Sequence, residues 1–284
     1  MSKPGTLFVV ATPIGHLGDL TARAVETLRA CDRVLAEDTR RTRQLLSHLG
    51  VTGKSVERLD AHASAAEVSR AAERLASGES TALVTDAGTP GVSDPGERLV
   101  EAAIAVGVRV VPIPGPSAVL AALVASGLAG EGRFRFVGFL PREGPARRDA
   151  IAVACATPEA VVLFEAANRT RATLRDLADA TPERRACVAR ELTKMHEEYV
   201  RGTCAELAAS DRDWLGEIAL VLGPHSPESR ETAVGDVALD ARIDASLALG
   251  EHARTIADKL AAWSGRPKRA VYERVVTRKR KPRS

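Results

Sequence analysis

The chain has 284 residues, a length that favours two domains over one, and its 45% apolar and 27% charged residues are ordinary soluble usage that excludes a disordered chain. No run of about 18 apolar residues occurs, which excludes a helical membrane span, and residues 1–5 lead into a strand pattern without the apolar stretch of a signal peptide. The formal net charge is +3, yet residues 264–284 hold nine Lys/Arg against one Glu, leaving 31 basic and 36 acidic residues elsewhere; a basic end on an acidic body points to a polyanionic partner.

In chain order, residues 6–11 read as a buried strand, and Asp19 is expected to cap a helix over 20–30. A strand at 33–36, a helix at 39–48, a strand at 54–59 and a helix at 63–76 follow. Next come a strand at 81–85, a helix at 97–106 closed by Gly107, a strand at 108–112 and a helix at 117–126 ended by Gly127. This α/β alternation implies a mostly parallel sheet with both faces covered. Three glycines within residues 126–132 read as a linker. Beyond them the alternation resumes, with strands at 135–139, 160–164, 185–189, 198–202 and 217–222 and helices at 147–155, 171–178 and 204–209. Pro224 and Pro227 then break the chain, and the rest reads as three short helices of helix-turn-helix-like form, with Ile256, Leu260 and Trp263 on one face. The expected division is 1–128, a first α/β domain; 129–224, a second; and 225–284, a helical domain with a basic tail.

Cys31, Cys155, Cys187 and Cys204 form no C-x-x-C pair and are expected to be small buried hydrophobes in a reducing cytoplasm. No G-x-G-x-x-G, Walker A, G-x-S-x-G or H-E-x-x-H motif occurs, and the six histidines lack metal-ligand spacing. No metal is expected.

What the chain does have is a set of Gly/Pro/Asp loops, each just after a predicted strand, where open α/β sheets bind ligands. The first is residues 11–19. The second, Glu37-Asp38-Thr39-Arg40-Arg41, sets two carboxylates beside two guanidiniums. The third, residues 85–96, holds three Gly, two Pro and two Asp; such a loop is rigid and can offer backbone N–H donors. Asp94 and Pro95 are expected to start the next helix as cap and first residue. The fourth, residues 112–118, carries three prolines into a helix N-terminus at Ser117 and Ala118 that favours an anion. In the second half, residues 164–169 and the charged block 189–198 leave strands in the same way.

Taken in order, these loops resemble the tetrapyrrole-methylase superfamily of S-adenosylmethionine methyltransferases. They are most similar to its branch that methylates the ribose 2′-oxygen of a cytidine in the 16S rRNA of the small ribosomal subunit. The resemblance spans residues 7–223 and extends to the helical tail; His16, Gly91 and Ala167 depart from the pattern. It implies a cytoplasmic homodimer of two-domain α/β subunits, with S-adenosylmethionine in the cleft between the domains. Carried onto this chain, the cofactor-binding positions are Pro13, Asp86, Gly88, Thr89, Val92, Ser117, Ala118, Glu165, Leu192 and Gly223. Asp38, Glu191 and Glu197 are the candidates for taking the hydroxyl proton, with Lys194 stabilising charge. Arg40 and Arg41 face the RNA. Only nine residues are aromatic, so RNA binding is expected to rest on phosphate contacts from Arg278, Lys279, Arg280, Lys281 and Arg283 rather than on a stacking platform. Two rival readings share these features. One is a precorrin-type tetrapyrrole C-methyltransferase of the same superfamily; the other is a DNA-binding regulator with a ligand-sensing body, which the core-like Val271, Val275 and Val276 disfavour.

Overall fold

The computed structural model describes residues 4–92, 96–225, 236–264 and 268–280. Five strands form a parallel first sheet: β1 (Thr6–Val10), β2 (Arg33–Ala36), β3 (Ser55–Arg58), β4 (Thr81–Val84) and β5 (Arg109–Ile113), in the order β3-β2-β4-β1-β5. Alternate side chains on a strand face opposite sides. Val34, Ala36, Ala82 and Val84 therefore pack with Leu28 of α1 (Ala22–Ala30) and Leu46 of α2 (Thr39–His48). Leu7, Leu35 and Leu83 pack on the other face with Leu75 of α3 (Ala65–Ala76) and Leu99 of α4 (Glu97–Ala105). Both faces are covered, as expected for parallel strands.

Two helix starts differ from expectation. Thr21, not Asp19, caps α1: its hydroxyl accepts from Ala24 N at 3.2 Å, while Asp19 closes a 3₁₀ turn over Leu17–Asp19. That extra turn delays the helix by two residues. α4 has Gly96 at its N-cap without a side-chain bond; Asp94 and Pro95 lie outside the described residues. Ser64 and Glu67 form a reciprocal capping box at α3, which sets its start two residues after the expected one.

The second sheet is β6 (Phe134–Phe139), β7 (Ala160–Ala166), β8 (Arg185–Arg190), β9 (Glu198–Thr203) and β10 (Glu217–Leu222), ordered β6-β7-β10-β8-β9. Only β6 and β7 pair in parallel; β10 runs antiparallel to both β7 and β8, and β9 to β8. The seven residues between β8 and β9 are too few for a parallel crossover. The chain returns last through β10, which inserts between two strands of the opposite direction.

Helices α6 (Gly144–Ala156), α7 (Ala167–Ala180) and α8 (Cys204–Ala209) cover one face of this sheet, burying Leu163, Val188 and Leu220 with Leu174 and Leu177. The other face is covered by α5 (Ala118–Ser126), which follows β5 of the first sheet: Val119, Ala122 and Leu123 pack on Val162, Cys187, Ala189 and Val221. The helix that ends the first alternation thus packs on the second sheet and ties the two together. Gly127, Gly130 and Gly132 all take positive φ in the connection after it.

All four cysteines are buried and free. Three further helices, α9 (Asp236–Ala248), α10 (Ala253–Ser264) and α11 (Lys268–Arg280), enclose Leu239, Ile243, Ile256, Leu260, Val271 and Val275. Trp263 stays partly exposed with the Arg242 guanidinium 4.0 Å above its ring. No described helix is long and apolar enough to cross a membrane.

Candidate functional site

Strand ends from both sheets meet around a cavity of about 520 Å³. From the first sheet come Ile14 after β1, Glu37 after β2, Thr85 to Thr89 and Val92 after β4, and Ser117 to Val119 after β5. From the second come Phe139, Phe164 to Ala167, Leu192, and Gly216 to Ala219.

The first loop is pinned to the third. Thr12 N donates to Gly88 O at 2.9 Å and Gly88 N to Thr12 O at 3.0 Å, while the Thr12 hydroxyl donates to Thr85 O at 3.1 Å. Gly88 holds φ +83°, a left-handed conformation that favours glycine. Its N–H is spent on Thr12, so Gly88 contributes shape to the cavity rather than a free donor. The Thr89 hydroxyl donates to Pro116 O at 3.2 Å and ties the third loop to the fourth. The Ser117 hydroxyl caps α5 by accepting from Leu120 N at 3.4 Å. The first-turn amides of Ala118 and Val119 remain without a partner inside the helix, as at any helix start, and both residues line the cavity.

Charge concentrates at the β2 and β4 ends. Asp86 Oδ1 accepts from Asp38 N at 3.0 Å, and its Oδ2 pairs with Arg41 Nη1 at 3.2 Å. The Thr85 hydroxyl donates to Glu37 Oε2 at 2.9 Å. Burial, and then the nearby Glu37 carboxylate, push the Asp86 carboxyl above its ordinary range. Asp38 behaves in the opposite way. Its Oδ1 accepts from Arg40 N at 2.7 Å and Arg41 N at 3.2 Å, and the Arg41 and Arg40 bonds hold its carboxyl below the ordinary range. A carboxylate committed to capping α2 is a weak base.

The loop between β8 and β9 closes the far wall. Glu191 (φ +50°) and Thr193 (φ +64°) are the non-glycine residues with positive φ among those described, and for a β-branched residue this is costly. Three contacts hold the strained turn. Glu191 Oε1 accepts from Glu217 N and Lys194 Nζ, both at 2.9 Å; Glu197 Oε2 accepts from Thr193 N at 2.5 Å; and His16 N donates to Thr193 Oγ1 at 3.1 Å, joining the two lobes. The Glu217 and Lys194 bonds hold the Glu191 carboxyl low. Burial opposes the Lys194 charge, but Glu191 and Glu217 together raise its pKa.

The expected positions divide as follows. Asp86, Gly88, Thr89, Val92, Ser117, Ala118, Glu165 and Leu192 line the cavity, and so does Arg41. Pro13 lines not this cavity but an adjoining recess of about 300 Å³, with Arg41 and His48. Gly223 lies at the opposite end of β10, where its N–H meets Arg185 O at 2.8 Å. Expectation placed ligand contacts beyond strand carboxyl ends; β10 runs antiparallel, so its amino end, Gly216 to Ala219, reaches the cavity instead. The Glu165 carboxylate is fully buried and taken up by Arg169 at 2.5 Å, Arg147 at 3.6 Å and the Thr173 hydroxyl at 2.6 Å, so it fastens α6 and α7 to β7. Glu191 and Lys194 stand beside the cavity through their shared partner Glu217. The Glu197 carboxylate braces its own loop, and Arg40 is exposed at the α2 start.

In the tail, Arg278 is not free for phosphate. It pairs with Asp240 Oδ2 at 2.7 Å and donates from Nε to Asp244 Oδ1 at 2.8 Å. Lys279 is exposed. The Arg280 side chain, Lys281 and Arg283 lie outside the described residues. Sequence reasoning missed Glu37 as a lining residue, although it begins the charged block after β2, and it missed the Phe139–Phe164 wall, whose rings lie 5.5 Å apart.

A family model described as Tetrapyrrole (Corrin/Porphyrin) Methylases matches residues 6–208. Ribosomal RNA small subunit methyltransferase I of Xylella fastidiosa (strain Temecula1 / ATCC 700964) is 45% identical over 280 residues, 96% of this chain and 99% of that protein. The protein of the same name from Halalkalibacterium halodurans is 38% identical over 272 residues, 94% of this chain and 93% of its own length. Among solved structures, a diphthine synthase superposes with TM-score 0.59 at 18% identity, covering 78% of this chain and 92% of that one. A uroporphyrin III C-methyl transferase from Thermus thermophilus does so with TM-score 0.55 at 19% identity, covering 77% and 97%. These two share the fold.

Proposed function

The chain belongs to the tetrapyrrole methylase family and, within it, to the family of ribosomal RNA small subunit methyltransferase I; from that premise we infer that it transfers a methyl group from S-adenosylmethionine to the ribose 2′-oxygen of a cytidine in 16S rRNA. The observation that carries this reading is end-to-end likeness: 45% identity runs over 280 residues, past residue 208 where the family match stops and into the helical tail. A tetrapyrrole C-methyltransferase would leave that basic tail without a role. The reading includes a cytoplasmic homodimer that acts on the small ribosomal subunit, and three domains at 1–128, 129–224 and 225–284.

The cavity fits the cofactor. Its volume lies in the range of small-molecule sites, about 300–1,000 Å³, and its lining is mostly apolar with a few convergent polar groups. Ile14, Val92, Leu192 and Phe139 offer apolar surface. Ala118 and Val119 present first-turn amides that suit a carboxylate, and Asp86 offers a carboxylate to cationic or hydroxyl groups. S-adenosylmethionine supplies an electrophilic methyl on a sulfonium that departs as a neutral thioether.

The protein's task is then alignment and proton removal. Asp38 holds the start of α2 and, through its N–H, orients Asp86. Lys194, fixed between Glu191 and Glu217, places a positive charge beside the cavity, which favours the 2′-oxygen as its proton is taken up by a base. Of the expected bases, Glu191 stands nearest this charge; like Asp38 and Glu197, its carboxylate is engaged in local bonds, one Glu191 oxygen accepting from Glu217 N and Lys194 Nζ.

The test supplies labelled S-adenosylmethionine to the full-length protein with purified small subunits lacking the modification, and in parallel with a tetrapyrrole precursor. The reading expects label in RNA, in a nucleoside resistant to alkaline cleavage at its 3′ side. Label in the tetrapyrrole arm alone would overturn it.

A further inference from the structure

Methyl transfer requires the acceptor oxygen about 3–3.5 Å from the methyl carbon, so the acceptor nucleotide must occupy space that opens onto the donor cavity. Two recesses share lining residues with that cavity. The smaller, about 300 Å³, meets it at Thr85, Asp86 and Arg41. The Arg41–Asp86 ion pair spans that boundary, and Pro13, Leu17 and Leu45 make much of its surface apolar. The larger, about 500 Å³, lies beyond the carboxyl ends of β2 and β3 and meets the donor cavity at Glu37. Its walls are polar: Asp38, Thr39, Arg58, Asp60 and His62 join Glu37.

We propose that this larger recess receives the base of the acceptor nucleotide and leaves its ribose at Glu37, the residue it shares with the donor cavity, with Asp60 reading the base. The inference rests on the RNA-methylation reading above. Three observations carry it. First, the recess and the donor cavity lie on either side of one shared lining carboxylate, Glu37, which the Thr85 hydroxyl fixes at 2.9 Å. Second, its volume falls in the range that encloses small organic ligands, about 300–1,000 Å³. Third, its donors and acceptors match cytosine. That base presents an N4 amine as donor beside the N3 and O2 acceptors, and Asp or Glu is the natural partner of the amine.

Asp60 is built for that role. Its side chain is only 13% exposed, Oδ1 accepts from His62 N at 2.9 Å, and the Arg58 guanidinium pairs with Oδ2. An ionised carboxylate has about four lone-pair sites, so two oriented ones remain for an amine. Arg58 and His62 beside it supply donors for N3 and O2. Uracil turns an oxygen toward the same carboxylate and is rejected by the repulsion of two acceptors.

The test compares wild-type, Asp60→Asn and His62→Ala full-length proteins on small subunits carrying either cytidine or uridine at the methylated position. Calorimetry with S-adenosylmethionine is expected to show unchanged cofactor binding in all three. Removing a partner of the base is expected to lower kcat/KM on the cytidine substrate by about fivefold or more, as a good base contact is worth about 1–3 kcal/mol. The carboxamide introduced by Asp60→Asn offers a donor as well as an acceptor, so this variant is also expected to narrow the cytidine-to-uridine preference by about fivefold or more. His62 is exposed; its variant carries the same kcat/KM readout should Asp60→Asn fail to fold. An active wild-type enzyme whose variants keep both kcat/KM and the base preference would overturn the assignment of the recess alone. A wild-type enzyme that leaves RNA unlabelled would overturn the RNA reading itself, and the recess with it.

Discussion

Asp86 holds its charge against burial and against Glu37, and its carboxyl is raised accordingly. A carboxyl raised in the folded state penalises folding once the pH exceeds its unfolded value, and the penalty is complete above the folded value. Asp86→Asn is therefore expected to raise the urea midpoint at pH 7. The gain should shrink as the pH falls through the carboxylate range, where the wild-type side chain also becomes neutral. The same variant is expected to bind S-adenosylmethionine more weakly, the usual trade between stability and function; an unchanged midpoint at pH 7 would count against the electrostatic account. Arg184 shows the reverse design. It is buried, with no carboxylate partner among the described residues, yet its guanidinium donates to the carbonyls of Gly223, Ala154, Cys155, Thr157 and Glu159 at 2.8–3.1 Å. Arg184→Met orphans several of these acceptors, and at about 1–3 kcal/mol for each buried unsatisfied group the destabilisation should reach at least about 3 kcal/mol by urea titration.

The helices and turns divide into those that hold the fold and those that hold the cavity. Ser64→Ala removes half of the capping box at α3 and is expected to lower stability by about 1 kcal/mol, while calorimetry shows cofactor affinity intact, because α3 packs away from the cavity lining. Gly216 is different. It sits at φ +82°, and a side chain there would overlap the Glu191 carboxylate. Gly216→Ala should therefore lower kcat as well as the urea midpoint, whereas Ser64→Ala lowers the midpoint alone. The amino-acid sequence made the first sheet legible because each β-strand is followed by a helix and each buried run alternates between two packed faces. It made the second legible only in part. The alternation β7-α7-β8 reads as parallel neighbours, which these strands would be had β10 not entered between them. Direction in β10 is set by tertiary pairing, and nothing in Glu217–Leu222 itself records it. Hence strand direction gave no reason to expect Gly216 to Ala219 at the site, and Gly223, expected there from the family resemblance, lies at the other end of β10. α5 did carry a signal: Ala118–Ser126 is apolar almost all round, the pattern of a helix buried between layers.

At the scale of the molecule, the basic end is two things. Arg274 and Arg278 face Asp240 and Asp244 and close the helical bundle, whereas Lys279 is exposed. Arg278→Gln is expected to lower the thermal midpoint of the bundle with little change in the salt slope of subunit binding. Joint replacement of Lys279, Lys281 and Arg283 by Gln should flatten that slope, by about 0.7–0.9 in log–log units for each phosphate no longer neutralised. An unaltered slope would remove the tail from the RNA-binding account. The premise beneath all of this is that the cavity between the two sheets holds the methyl donor. The most direct measurement is a calorimetric titration of the full-length protein with S-adenosylhomocysteine, set beside Ala118→Trp, which fills the cavity wall from the first turn of α5. The account predicts one molecule bound per chain in the wild type and none in the variant at matched thermal stability. Equal heats from both proteins, or none from either, would contradict it.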